Sequence, residues 1–260
     1  MTELLQIFVS YKTSVLDVST LEQCISKLDK SKVKTAILVN DYKPDDPISR
    51  LAKIVDYFIP NDDNLGYGST INRFVRSLPS LPEYLAFLNT DISWNPGTFE
   101  KSIGFMNNNK SCVLMVPKIL NPDQSIAYLC KRNPTLLALI SRRFIPDFLK
   151  TKALKKYDRW FCMRESDYSY TIESSYLSGC CMVVRSLPFI DLGGFDERYF
   201  LYLEDADLTR SMQKYGSCLH VPSLSIVHQW QRGSYNNIKL MYWNILSFFI
   251  YSIKWGWKLF

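Results

Sequence analysis

The chain has 260 residues, 47% of them apolar, which suits one large α/β domain or one domain with a tail and leaves no room for a disordered polymer. Its net charge of +6 is modest, and suits an anionic ligand or a membrane surface as well as it suits nucleic acid. Seven scattered cysteines without a CxxC pair and only two histidines argue against a disulfide framework and a zinc site, and fit the reduced thiols of a cytoplasmic protein.

In chain order, Leu5 to Ser10 reads as a first strand, since Met1-Thr2-Glu3 leads directly into it with no secretory signal. Val18, Leu21, Ile25 and Leu28 then recur at helical spacing. Thr35 to Val39 is a second buried strand and Asp56 to Ile59 a short third, followed by the polar loop Pro60 to Gly68. Thr70 to Ser77 is a helix stopped by Pro79 and Pro82, Tyr84 to Leu88 a fourth strand, Pro96 to Met106 a helix and Cys112 to Val116 a fifth strand. Strands that are almost continuously apolar and alternate with helices predict a mostly parallel sheet covered on both faces. Ligands of such sheets lie beyond the carboxyl ends of the strands, where Asp41, Asn64 and Asp91 all fall.

After Pro117 the rhythm changes. Ser125 to Lys131 and Tyr176 to Val184 read as strands, Pro134 to Arg143 as a basic helix, and Asp147 to Tyr170 as a charged, irregular loop. Glu204 to Tyr215 reads as a helix, and Ser217 to Val221 and Ser225 to His228 as two short strands.

Three acidic segments carry the chemistry: Leu88-Asn89-Thr90-Asp91, Gly193-Gly194-Phe195-Asp196-Glu197 and Tyr202-Leu203-Glu204-Asp205-Ala206-Asp207. An Asp leaving a strand, with Asn89 beside it, offers one carboxylate to a hard cation that completes its shell with water and phosphate; the same residues also make an ordinary turn. Glu204, Asp205 and Asp207 complement the positive end of a helix, but they follow the apolar Phe200 to Leu203, which raises a carboxylate's pKa and gives it the setting of a general base. Asp207 with Arg210 reads as an intrahelical ion pair. His228 closes an apolar strand, as a structural hydrogen-bond partner or as a metal or diphosphate contact with Arg232 nearby. Asn64-Leu65-Gly66-Tyr67-Gly68 lacks the third glycine of the dinucleotide fingerprint, and neither a P-loop nor a Gly-x-Ser-x-Gly elbow occurs.

Taken together and in this order, Phe8-Val9-Ser10-Tyr11, Val39-Asn40-Asp41, the Asn64 loop with Asn72, Leu88 to Asp91, Ser178 to Arg185, and the run from Gly193 through Glu204-Asp205 to Gly216 resemble a family 2 glycosyltransferase of GT-A fold. The resemblance covers about residues 4 to 235 and is closest to bacterial rhamnosyltransferases of O-antigen and cell-wall polysaccharide assembly. It implies a GT-A domain over residues 1–235 and a helical tail over 236–260. It implies that Ser10, Tyr11, Asp41, Asn64, Gly66, Tyr67, Asn72, Asn89 and Arg232 bind the nucleotide-sugar, and that Asp91, with His228, holds Mg²⁺ or Mn²⁺. Asp205 would deprotonate the acceptor hydroxyl, with Glu204 beside it, in an inverting transfer. Two departures stand out: Asp41-Tyr42 replaces the family's Asp-Asn, and Asn89 stands where the fuller metal motif has an acid. Lys131-Arg132-Asn133-Pro134-Thr135 resembles a segment of the rhamnosyl members, which implies a dTDP-rhamnose donor, a glycan acceptor on polyprenyl diphosphate and no nucleic-acid partner.

The tail has nine uncharged residues, Ile245 to Ile253, too few to span a bilayer, flanked by Lys239, Lys254, Lys258, Trp243, Trp255 and Trp257. It reads either as a helix on the inner face of the cell membrane or as a terminal helix packed on the domain. The competing functions are a hexosyl or N-acetylglucosaminyl transfer from a UDP-sugar, a nucleotidyltransferase, whose glycine-rich first loop is missing here, and a non-catalytic glycan-binding subunit.

Overall fold

The computed structural model describes residues 2–229 and 238–260. Four strands, β1 (Leu4–Ser10), β2 (Val33–Val39), β3 (Tyr57–Pro60) and β4 (Tyr84–Leu88), pair parallel in the order β3-β2-β1-β4. The sheet then continues through β8 (Cys181–Arg185), β6 (Cys112–Leu120), β9 (Ser217–His228) and β5 (Ile92–Trp94), with β7 (Ile172–Glu173) paired to β9. In this second half β8 runs antiparallel to both β4 and β6, and β5 runs antiparallel to β9. The sheet is thus mixed: parallel through β3-β2-β1-β4 and again between β6 and β9, and antiparallel at β8, β5 and β7. An antiparallel strand is as apolar as its parallel neighbours once helices cover both faces, so composition did not distinguish them.

Alternate strand residues fill two cores. Leu4, Phe8, Ile37, Leu88 and Val183 point to one face, beneath Val18, Leu21 and Ile25 of α1 (Val15–Ile25) and Phe99, Ile103 and Met106 of α3 (Thr98–Asn108). Leu5, Ile7, Leu38, Phe87 and Val184 point to the other, under Ile71 and Phe74 of α2 (Tyr67–Ser77), Phe189 of α6 (Ser186–Asp191), and Leu208 and Met212 of α7 (Glu204–Met212). The period-two alternation of strands and the helical spacing of α1 produce this directly.

Elsewhere local pattern misleads. Residues 125–131 make only isolated bridges, Ile126 to Leu120 and Lys131 to Tyr176. The stretch read as an irregular loop contains α5 (Lys152–Phe161), whose Thr151 side chain caps it by accepting from Leu154 N–H, at 3.2 Å. The basic helix is α4 (Leu136–Phe144), capped in the same way by Thr135. The two strands ending at His228 are one, with register shifts against β6 that absorb the intervening proline.

Asp207 does not pair with Arg210. It is buried and reaches across to α8 (Ile238–Trp255), accepting from Lys254 Nζ at 2.8 Å and Trp255 Nε1 at 2.6 Å. Arg210 instead bonds the Tyr251 hydroxyl at 3.2 Å and lies 4.3 Å over the Trp255 ring. With Phe248 and Tyr251 buried against Tyr176, Tyr199 and Leu203, α8 is packed on the domain. Among the described residues no helix is long and apolar enough to cross a membrane.

Loss of the Asp207 carboxylate takes the acceptor from Trp255 Nε1, while Lys254 keeps Asp196 at 3.0 Å. Asp207→Ala should therefore lower unfolding free energy by about 2 kcal/mol in urea denaturation and expose Trp255, whose fluorescence should shift to the red. An unchanged midpoint would mean that α8 is held by its apolar face alone.

Candidate active site

The site lies where the carboxyl ends of β1, β2 and β4 meet the start of β8. Two neighbouring residues organise it. Cys180 C=O accepts from Asn89 N–H at 3.0 Å, which ties the metal-motif loop to one side of the segment. Gly179 N–H donates to Asp205 Oδ2 at 2.9 Å, which ties the start of α7 to the other. A side chain at Gly179 would press on Asp205 Cβ at 3.0 Å, so this close approach needs glycine.

On the first side, Asp91 Oδ1 and His228 Nε2 are 3.1 Å apart. Register makes the pair: β5, immediately after Asp91, sets Ile92 opposite His228, and Gln229 N–H donates to Asp91 C=O at 2.9 Å. Burial pushes the His228 imidazole down, but the Asp91 carboxylate and Cys180 outweigh it and raise its pKa to about 10. Thr90 joins this loop to the first one, accepting from Thr13, which in turn is bonded to Ser10 at 2.7 Å.

On the second side, Glu204 and Asp205 open α7. Burial raises both, and Glu204 rises to about 8, helped by the neighbouring Asp205 charge. Four groups oppose the rise at Asp205: Lys131, the amides of Gly179 and Ala206, and the Tyr176 hydroxyl. Among the described residues Glu204 Oε2 is buried without a hydrogen-bond partner. Groups that favour the charged form thus gather at Asp205 and not at Glu204 Oε2, so the buried pair resists carrying two charges and Glu204 holds a proton the more readily. The two residues before them, Tyr202 and Leu203, have positive φ of 72° and 64°, a strained pair that aims both carboxylates.

The remaining residues expected at the site divide into three groups. Asp41 lies two residues past β2 with φ 53° and pairs with Lys43 at 3.0 Å, which holds its carboxyl below the usual range. Asn64 Oδ1 accepts from Gly66 N–H at 3.0 Å, and Tyr67 OH reaches Gly179 C=O at 3.5 Å, so this loop borders the same segment. Ser10 is buried beneath the rim, while Tyr11 is exposed on it. Asn72 does something else. It is buried, donates to Phe195 C=O at 2.8 Å and to Glu197 at 3.0 Å, and accepts from Phe195 N–H at 2.9 Å. Its amide is fully used in pinning the Gly194 turn, so it anchors a loop rather than facing a ligand. Arg232 lies outside the described residues.

Lys131 and Tyr176 entered no earlier expectation for the base. The Lys131 ammonium sits 4.3 Å over the Tyr176 ring, and their backbones bridge. No local signal marks them, because they reach Asp205 only through that bridge.

Among the described residues no cluster of three or more acidic, His or Cys side chains could enclose a metal. Asp91 offers one carboxylate to a hard cation that takes most of its ligands from water and a bound diphosphate, and His228 could join it only after giving up the proton that it shares with Asp91.

A model of the family Glycosyl transferase family 2 matches residues 10–186. The N-acetylglucosaminyl-diphospho-decaprenol L-rhamnosyltransferase of Mycobacterium tuberculosis (strain H37Rv) is 28% identical over 180 residues, covering 65% of this chain and 57% of that protein. Rhamnosyltransferase WbbL of Escherichia coli (strain K12) is 28% identical over 176 residues, covering 66% and 62%. The chain thus spans about six-tenths of the curated relatives it matches. A crystal structure of GalNAc-T7 with UDP, GalNAc and Mn²⁺ superimposes with a TM-score of 0.62 at 12% identity, over 88% of this chain and 44% of that one. The fold is GT-A-like.

The carboxylate pair is testable without a substrate. Because folding raises the Glu204 pKa, its stabilising contribution is complete below the ordinary glutamate value and is lost as pH climbs through about 8. Glu204→Gln removes that loss, so its stability advantage over the parent chain should grow from pH 5 to pH 9 in urea titrations. Parallel pH curves for the two proteins would place the proton elsewhere.

Proposed function

The chain belongs to glycosyl transferase family 2, and we propose that it transfers L-rhamnose from dTDP-rhamnose to a hydroxyl of a glycan acceptor, carried on polyprenyl diphosphate or a growing polysaccharide. The observation that carries the reading is the juxtaposition of Asp91–His228 and Glu204–Asp205 on either side of the Gly179–Cys180 segment. The two rhamnosyltransferase relatives support the choice of sugar, and the name of the mycobacterial relative, with its diphospho-decaprenol, supports the lipid-linked acceptor. The reaction is placed at the cytoplasmic face of the membrane.

In this reading the donor lies over the strand ends. Asp41 and the loop Asn64-Leu65-Gly66-Tyr67 border the nucleotide, with Tyr11 on the rim, Ser10 beneath it and Asn89 beside the Cys180 carbonyl. The acceptor hydroxyl approaches the Asp205 side. Asp205 takes its proton as the oxygen attacks the anomeric carbon from the face opposite the leaving diphosphate, so configuration inverts. In this reading Lys131 and the two amides favour the charged form of Asp205, and burial beside that charge disfavours a second one on Glu204. Asp91 and His228 would hold Mg²⁺ or Mn²⁺, which when bound neutralises charge on the diphosphate.

Asp205→Asn keeps the shape but not the basicity. Transfer should fall by about 10²- to 10⁴-fold, with donor affinity nearly unchanged in calorimetry; equal loss of both would remove Asp205 from this role. A thermal-shift panel of nucleotide-sugars with and without Mn²⁺ should single out dTDP-rhamnose. Asp91→Ala should abolish the Mn²⁺-dependent part of that stabilisation, and a mutant that responds like the parent chain would contradict the assignment. Preference for a UDP-sugar in the same panel would replace the donor without disturbing the mechanism.

A further inference from the structure

Helices α4, α5 and α8 lie side by side. Leu136 and Leu139 of α4 pack with Phe248 and Tyr251 of α8, while Ala138 packs with Tyr157 and Phe161 of α5. Leu136 and Leu137 N–H donate to the carbonyls of Lys258 and Leu259 at 2.9 and 3.0 Å, which joins the chain end to α4.

The outer side of this layer is apolar where solvent meets it. Ile238, Tyr242, Ile245, Phe249 and Ile253 form one stripe along α8, opposite its buried face, and all are exposed. Trp257 meets Phe249 of this stripe at 5.6 Å, and Leu259 and Phe260 at the chain end, Ile140 and Phe144 of α4, and Phe148 and Leu149 just after it are exposed as well. Phe148 and Phe260 are 83% and 80% exposed, far from the usual condition of phenylalanine.

Charge is gathered beside the stripe. Residues 131–164 hold ten Lys and Arg against two Asp, of which Lys131 faces Asp205 and Arg142 pairs with Asp158, so the segment is still strongly positive where it meets solvent while the rest of the molecule is net negative. Lys152, Lys155, Lys156 and Arg159 of α5 are exposed at helical spacing, with Trp160 among them. A nucleic acid would use the cations but offers no apolar phase for the stripe; an anionic bilayer uses both.

We propose that the α4–α5–α8 face docks on an anionic lipid bilayer, with the α8 stripe and Phe144 to Leu149 entering the headgroup region and the α5 cations on lipid phosphates. The inner face of α8 connects this surface to the site: Trp243 stacks on Phe200 at 4.3 Å, and Ser247 Oγ donates to Leu201 C=O at 2.8 Å, just before Glu204. Docking thus holds the carboxylate pair near the lipid surface. In this respect the inference deepens the lipid-linked acceptor reading and rests on it for its purpose.

The full chain is floated with vesicles of phosphatidylcholine alone and of phosphatidylcholine with about one-third phosphatidylglycerol. It should bind the anionic vesicles at least tenfold better, and lose most of that preference in high salt. K152E/K155E/K156E should weaken anionic binding by about tenfold or more, and F249S/I253S by a similar factor, while both variants keep the parent's slow release of nucleoside diphosphate from donor, which shows an intact fold. Equal binding to neutral vesicles would overturn the proposal. So would binding that ignores F249S/I253S, which marks a generic polyanion contact, or self-association through this face without any lipid binding. Because the vesicles contain neither donor nor acceptor, a chain that docks but fails to transfer rhamnose would refute the function and leave the surface standing.

Discussion

The hydrogen bond from Gly179 N–H to Asp205, set one residue from the Cys180 carbonyl that Asn89 grips, determines the geometry of everything around it. It fixes how far the Asp91 side of the cleft stands from the Asp205 side, because a single dipeptide separates them. It also biases where the charge of the pair resides. Two backbone amides, a lysine and a phenol surround Asp205, whereas among the described residues Glu204 Oε2 is buried with no partner, which favours the charged form at Asp205. β8 can place that dipeptide there only by running antiparallel, which brings its start to the same end of the sheet as the finish of β4.

This arrangement carries strain. Two successive non-glycine residues in left-handed conformation, Tyr202 and Leu203, cost on the order of 1–3 kcal/mol each and persist only where surroundings over-determine them. Here the surroundings are α8: Trp243 on Phe200, Ser247 on Leu201, and Lys254 and Trp255 on Asp207. The C-terminal helix is therefore a structural part of the site, and whatever its outer face binds lies one helix away from the carboxylates.

The first four strands, the helices between them and the position of Asp41, Asn64 and Asp91 beyond strand ends were all legible in the sequence, since each follows from local period and loop chemistry. So was the helix beginning at Glu204. The bonds of Asn72 to the Phe195 backbone were not legible, because an asparagine near a glycine loop looks the same whether it faces a nucleotide or pins a neighbouring turn. α5 was hidden for a related reason: its cations obscure the helical spacing, and its buried contact is only Phe161 with its neighbours on α4.

By itself the sequence determined the alternation that buries two core faces, the acids that follow strands or open a helix, and the motif order shared with the family. Those are properties of neighbours, and periodicity records neighbours. The antiparallel insertion of β8, the pairing of Asp91 with His228 across 137 positions, the exchange of Arg210 for Lys254 at Asp207, and the collection of positive charge beside an apolar stripe were decided only by tertiary structure. Each joins residues whose separation along the chain carries no signal, because it is packing and strand register that set which distant groups share a low-dielectric space.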